Sequence, residues 1–236
     1  MVMKKKILSS ASRDKICKFC NKGFSNDNTL SAHMCVKKRR YADQNAPGSL
    51  LGFRIFQMFH ELTSNSKDPK SVIDFINSKF YLGFVKFARY VISINPFAAD
   101  DFIRYVIMNG IGLSDWPKDS TYQDFLVQYI KKEPPERAVE RTIAELSLWA
   151  EENGKTIQDF FNEVSTIEAV FLIKTGRISP WVIYLSTNGD GLLNRMSTEQ
   201  ISMVSGIIDP NKWNLIMHNK IDDSKFIKQV LQDSGI

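Results

Sequence analysis

The sequence predicts an all-α protein, in which a small N-terminal module bearing Cys and His joins a multi-helix globular domain. Three observations carry this reading. Helix start and stop signals punctuate nearly every boundary after residue 50. Apolar residues recur at helical spacing between those signals, and no run of alternating strands accompanies them. All three cysteines of the 236-residue chain, Cys17, Cys20 and Cys35, fall close together around His33.

The module comes first, over residues 1–42. Its core is CKFCNKGFSNDNTLSAHMCVKKRRY, residues 17–41. The two-residue gap between Cys17 and Cys20 lets both sulfurs reach one ion from a tight turn, and His33 supplies a third donor. Phe24 and Leu30 stand where a small apolar core belongs. A helix is expected over about residues 26–34. Residues two apart on a regular helix point about 200° away from each other. His33 and Cys35 can therefore share an ion only if the helix stops or tightens just after His33. Water or a partner's side chain are the alternatives for the fourth position.

The stretch resembles the two-Cys two-His zinc-finger family, in the variant where Cys replaces the last His. The resemblance covers about 20 residues and departs from the pattern in the short His33-Met34-Cys35 spacing. It implies one Zn2+ held by Cys17, Cys20, His33 and Cys35. In that family the base-reading helix positions fall here on Asn26, Asn28, Thr29 and Ala32. None is Arg or Lys, the strongest readers of guanine.

Charge points instead at the nucleic-acid backbone. Residues 1–42 hold eleven Lys or Arg against two Asp, a balance of +9. The rest of the chain holds twenty basic against twenty-four acidic residues, a balance of −4, and the whole carries +5. Lys18, Lys22, Lys37, Lys38, Arg39 and Arg40, with Lys4 to Lys6 upstream, are the candidate nucleic-acid-binding residues, suited to phosphates. Phe19 and Tyr41 are candidates to stack on a base.

Residues 43–49, DQNAPGS, read as a linker, and residues 50–236 as the helical domain. LLGFRIFQMFHEL (50–62) puts Leu51, Ile55, Met58 and Leu62 at helical spacing. Asp68-Pro69 reads as an N-cap followed by proline at the first helical position, opening a helix through PKSVIDFINS. The segment 80–94 stops before Asn95-Pro96, because a residue before proline avoids the helical region. AADDFIRYVIMNG starts acidic and stops at Gly110. The run 120–132 has Asp early and lysines late, and 134–154 opens on prolines and ends at Gly154. Ser165 with Glu168 and Ser197 with Gln200 form capping-box pairs. ISPWVIYLSTNGDG reads as a short helix, since no strand is present to pair with it. DPNKWNLIMHNK and DDSKFIKQVLQD complete about ten short helices.

No catalytic constellation stands out in that body. His60 and His218, the other two histidines, read as helix-face or core residues, and TNGDG reads as a turn. Acidic pairs such as Asp100-Asp101 sit at helix ends, where capping explains them. A cysteine set confined to one metal-ligating stretch indicates a reducing compartment. The basic opening lacks an apolar region for a secretory signal, and no apolar run reaches membrane-spanning length, so a cytoplasmic location is expected.

The runs HMCVKKRRY, FVKFARYV, GRISPWVIYLS and IIDPNKW resemble uncharacterised zinc-finger proteins of large tailed bacteriophages. That resemblance implies a bacterial host cytoplasm and no assigned activity. The expectation is a nucleic-acid-associated protein that binds DNA or RNA phosphates non-specifically and docks onto replication or transcription machinery. The alternative is a protein–protein adaptor whose finger is the interaction module.

Overall fold

The computed structural model describes residues 15–64 and 68–236, and the chain divides into two compact units, residues 1–89 and 90–236. The first begins with a two-stranded antiparallel hairpin, β1 (Lys15–Ile16) and β2 (Gly23–Phe24), in the register Lys15 to Phe24 and Ile16 to Gly23. Helices α1 (Asp27–Ala32), α2 (Val36–Ala42), α3 (Pro47–Thr63), α4 (Val72–Asn77) and α5 (Tyr81–Ile94) follow, and the unit boundary falls within α5.

Segment 43–49, expected as a linker, consists of a 3-10 turn at Asp43–Asn45 and the start of α3, where Gly48 and Ser49 are buried. Pro47 at the first helical position explains why α3 starts there. Its buried stripe is Gly52, Ile55 and Phe56, with Leu51, Met58 and Leu62 half-buried. A Cβ on Gly52 would lie 3.3 Å from the Val85 Cα, so glycine here lets α3 and α5 approach closely. Rings from three helices fill the resulting core. Phe56 meets Phe75 at 5.3 Å and Phe84 at 5.4 Å, and Phe75 meets Tyr81 at 4.7 Å between ring centres. Burial of each such ring contributes about 1.5–3 kcal/mol.

Helix α4 starts later than Asp68-Pro69 implies. Ser71 is its N-cap, and a reciprocal capping box with Asp74 fixes the start at Val72. The box satisfies two backbone N–H groups at once, which outweighs the preference of proline for a first turn.

The second unit contains α6 (Ala99–Met108), α7 (Asp119–Lys132), α8 (Pro135–Asn153), α9 (Phe160–Glu163), α10 (Thr166–Lys174), α11 (Pro180–Leu185), α12 (Gly189–Arg195), α13 (Thr198–Ile208), α14 (Pro210–Asn219) and α15 (Ile221–Asp233). The ambiguous PWVIYL segment is helix α11, with Pro180, Trp181, Val182 and Ile183 all buried. It packs against α8, α12 and α15, and a helix covered on so many sides has no amphipathic stripe to read. Trp181 meets Trp213 edge to face at 5.3 Å. The Trp213 indole N–H donates to the Ile207 carbonyl at 2.7 Å, so the ring is buried without an orphan donor.

A polar network holds the turn between α10 and α11. Arg141 makes a two-pronged ion pair with Glu133 at 2.7 and 2.9 Å, donates to the Gly176 carbonyl, and lies 4.0 Å over the Phe97 ring. Arg177 pairs with Glu145 and donates to the Asn95 carbonyl. Asn95 has a φ of +41° although it precedes Pro96. The expected stop is present, and asparagine tolerates this left-handed geometry better than most residues. Among the described residues, no helix is long and apolar enough to cross a membrane.

Candidate metal centre

The hairpin and two short helices bring four soft donors together. The turn between the strands carries Cys17 and Cys20. It closes through the Cys17 N–H on the Lys22 carbonyl at 2.9 Å and the Asn21 N–H on the Cys17 carbonyl at 2.8 Å. Asn21 takes a φ of +58°, which reverses the chain so that both sulfurs face one side.

The other two donors come from a break between helices. Helix α1 ends at Ala32, and His33 is its C-cap in an extended conformation. Met34 intervenes, and Cys35, also extended, caps the N-terminus of α2 through a hydrogen bond from the Lys38 N–H to its sulfur at 3.4 Å. The stop after His33 that shared ligation requires is therefore present. It occurs as two helices rather than as one frayed end. The Asn26 side chain accepts from the Thr29 N–H at 2.8 Å to start α1, and the Thr29 hydroxyl donates back to the Asn26 carbonyl. Two of the four base-reading positions are thus engaged in capping a six-residue helix.

The donor atoms of Cys17, Cys20, His33 and Cys35 all lie within 4.8 Å of one another. The Cys17 and Cys35 sulfurs are 4.0 Å apart, and the Cys20 sulfur is 3.2 Å from the His33 Nε2. A tetrahedron with metal–sulfur bonds of about 2.3 Å and a metal–nitrogen bond of about 2.0 Å has edges near 3.6–3.8 Å, so the arrangement can hold a metal ion. Cys17 is buried and the other three donors are half-buried. The Phe24 ring packs on His33 at 4.6 Å and orients the imidazole, with Leu30 half-buried in the same module.

Electrostatics favour thiolate at one position. Burial pushes the Cys17 thiol up, but the backbone N–H groups of Phe19 and Cys20 and the neighbouring Cys20 and Cys35 thiols outweigh it, so the net shift is downward. At Cys20 the lowering from the Lys22 N–H is overcome by burial and by the other two sulfurs, and the thiol is raised.

The candidate phosphate-binding residues separate into two groups. The Lys18 ammonium lies over the Phe19 ring at 5.3 Å and that of Lys22 over Phe24 at 5.6 Å; Lys18, Lys22 and Arg39 are exposed and Lys37 half-buried. Lys38 folds back onto the carbonyls of Ser31 and His33 at 3.3 and 3.1 Å. Arg40 faces inward, donating to the carbonyls of Ile76 and Ser78 at 2.8 and 3.2 Å. Its charge on α2 gave no sequence signal of that role. Lys4 to Lys6 lie outside the described residues. His60 packs against the Phe56 and Phe59 rings, and burial lowers its pKa.

No protein-family model, no curated protein and no solved structure matches the chain, so the resemblance to phage proteins finds no support in these comparisons.

Proposed function

We propose that the protein is a zinc-finger protein that associates with DNA or RNA through phosphates, with little sequence selectivity. The observation that carries this reading is the coincidence of a Cys3His donor cluster with a local charge of +9 in a chain that is otherwise net acidic. Three thiols and an imidazole are the donor set that zinc takes in closed structural sites. Zinc at this place ties the hairpin to the start of α2 and holds the basic side chains on a small rigid frame.

Backbone contact is the mode that the residues favour. Helix α1 spans six residues, and Asn26 and Thr29 are engaged at its cap. Lys18, Lys22, Lys37 and Arg39 supply charge without base-edge geometry. Four phosphate contacts give a slope of about −3 to −4 in log affinity against log salt on duplex DNA. Fluorescence anisotropy of the full chain on unrelated duplexes and RNAs tests the reading. Similar affinities among the duplexes and among the RNAs, whatever their sequence, and a slope in that range support it, and no binding at about 50 mM salt overturns it. In this reading the helical body docks onto replication or transcription proteins.

One observation favours the alternative, a protein–protein adaptor. An apolar groove of about 330 Å³ between α7, α13 and α14 is lined by Val127, Ile130, Ile207, Trp213, Leu215 and Ile216. Co-purification with and without nuclease separates the readings, because an adaptor keeps its partner after nucleic acid is removed.

A further inference from the structure

We infer that the module carries a site for one unpaired base, so that its nucleic-acid ligand is single-stranded rather than duplex. The inference rests on the phosphate-binding reading and deepens it. The first unit contains a cleft of about 230 Å³ whose lining includes Lys18, Phe19, Lys37, Tyr41, Ile73 and Asn77. Two rings form its wall, since Phe19 and Tyr41 meet at 5.2 Å with a tilt of 49°. Tyr41 remains 39% exposed, and Ile73 on α4 is 51% exposed.

These features match what a nucleotide requires. A base is a planar apolar body with polar edges, and aromatic faces bind it regardless of sequence. The exposed Ile73 adds an apolar surface, and Asn77 offers both a donor and an acceptor to a base edge. Lys18 and Lys37 bring positive charge to the same cleft, where the phosphates flanking a stacked base would run. A paired base has both faces covered within its own stack and cannot enter. The site is composite: the knuckle supplies Phe19 and Lys18, α2 supplies Lys37 and Tyr41, and α4 supplies Ile73 and Asn77.

The test uses the full zinc-loaded chain and labelled oligonucleotides of about 12 nucleotides, within the site size of such binders. The probes are oligo-dT, oligo-rU, an abasic strand of the same length and the dT·dA duplex. The wild-type chain should bind an unpaired pyrimidine strand at least about tenfold more tightly than the duplex or the abasic strand. The dT and rU arms tell DNA from RNA. Tyr41→Leu should remove that preference while retaining metal and duplex affinity, and Tyr41→Trp should keep it. Equal affinity of the wild-type chain for dT, rU and duplex overturns the base site and leaves phosphate binding standing. So does equal affinity for abasic and base-bearing strands, a comparison that needs no variant. Full single-strand preference in Tyr41→Leu overturns it as well. Absence of binding to every probe at about 50 mM salt overturns this inference and the phosphate reading together.

Discussion

The guanidinium of Arg40 lies 4.4 Å from the centre of the Tyr81 ring while it donates to the carbonyls of Ile76 and Ser78. One side chain from the basic run thus caps the C-terminal carbonyls of α4 and stacks on the first residue of α5. It joins the module that carries the Cys and His donors to the aromatic core of the first unit. Two charge-assisted hydrogen bonds and a cation–π contact, less the cost of the buried Arg40 Nε that has no hydrogen-bond partner among the described residues, leave a net contribution of about 2–3 kcal/mol.

Arg40→Ala should therefore destabilise the first unit by about that amount. Lys37→Ala and Arg39→Ala should leave stability within about 0.5 kcal/mol of wild type. Salt-dependent binding should respond in the opposite order, with Lys37→Ala and Arg39→Ala reducing the slope. Urea unfolding followed by circular dichroism, beside anisotropy on one duplex, checks both halves. A neutral Arg40→Ala would show that the packing carries no net stability.

The buried pair in the second unit gives a contrasting case. The Glu133 and Arg141 side chains are 4% and 13% exposed. Burial raises the Glu133 pKa and lowers that of Arg141 against their mutual attraction, so desolvation outweighs pairing at both ends. Arg141→Met should cost about 3–5 kcal/mol, because it strands a buried carboxylate. Adding Glu133→Gln should recover more than about 1 kcal/mol of that loss. A double-mutant cycle by thermal or urea unfolding measures the coupling, and simple additivity would contradict it.

These two arginines show where the sequence is legible and where it is not. Capping is local chemistry. Ser197 with Gln200 forms the full box, and Gly154 stops α8 with a φ of +62°. Ser165 caps α10 through the Glu168 N–H at 3.2 Å. The four candidate metal donors are legible too, because ligand type and spacing lie within one short stretch. Burial of a charged side chain depends instead on elements distant in the chain. Arg40 reaches carbonyls 36 and 38 residues away, and Arg141 a carbonyl 35 residues away. From the sequence Arg40 reads as a phosphate contact within a basic run, and nothing close to Arg141 in the chain marks it as buried. The start of α4 is misread for a related reason: Asp68-Pro69 and Ser71 are rival caps, and only the reciprocal bond from Asp74 decides between them.

Capping also predicts an acid-sensitive fold. Hydrogen bonds from the Ser71 hydroxyl and N–H lower the Asp74 pKa, and those from the Thr156 N–H and hydroxyl lower that of Asp159. A carboxylate with a depressed folded pKa stabilises the fold above its ordinary value of about 3.9 and loses that contribution as pH falls through the folded value. Stability should thus decline as pH falls from about 5 toward 3. Asp159→Asn should lower stability at neutral pH and decline less over the same range. Urea midpoints at several pH values give the comparison, and parallel curves for variant and wild type would remove Asp159 from the account.

The metal prediction follows from the break between α1 and α2. Cys35 has two roles there, as a donor in the cluster and as the N-cap of α2. Serine is a good N-cap but a poor zinc ligand, so Cys35→Ser keeps the helix start and removes the thiolate. About 10–16 kcal/mol of binding spread over four ligands assigns each about 3 kcal/mol, or roughly two orders of magnitude in affinity. Purified protein should contain about one equivalent of zinc by elemental analysis, and Cys17→Ser, which removes the buried donor, should weaken binding at least about a hundredfold. Cys35→Ser should weaken zinc binding about a hundredfold in a competition titration. Unchanged affinity would assign the fourth position to water or a partner. Chelation should melt α1 and α2, whose helices bury no residue of their own, and free the Ile76 and Ser78 carbonyls that Arg40 caps at the α4 C-terminus. Helices α6 to α15 have their own buried core and should persist, so most of the helical circular dichroism should survive. Hydrogen exchange with and without chelator locates the loss, and collapse of the whole helical signal would show that the body depends on the metal for its fold.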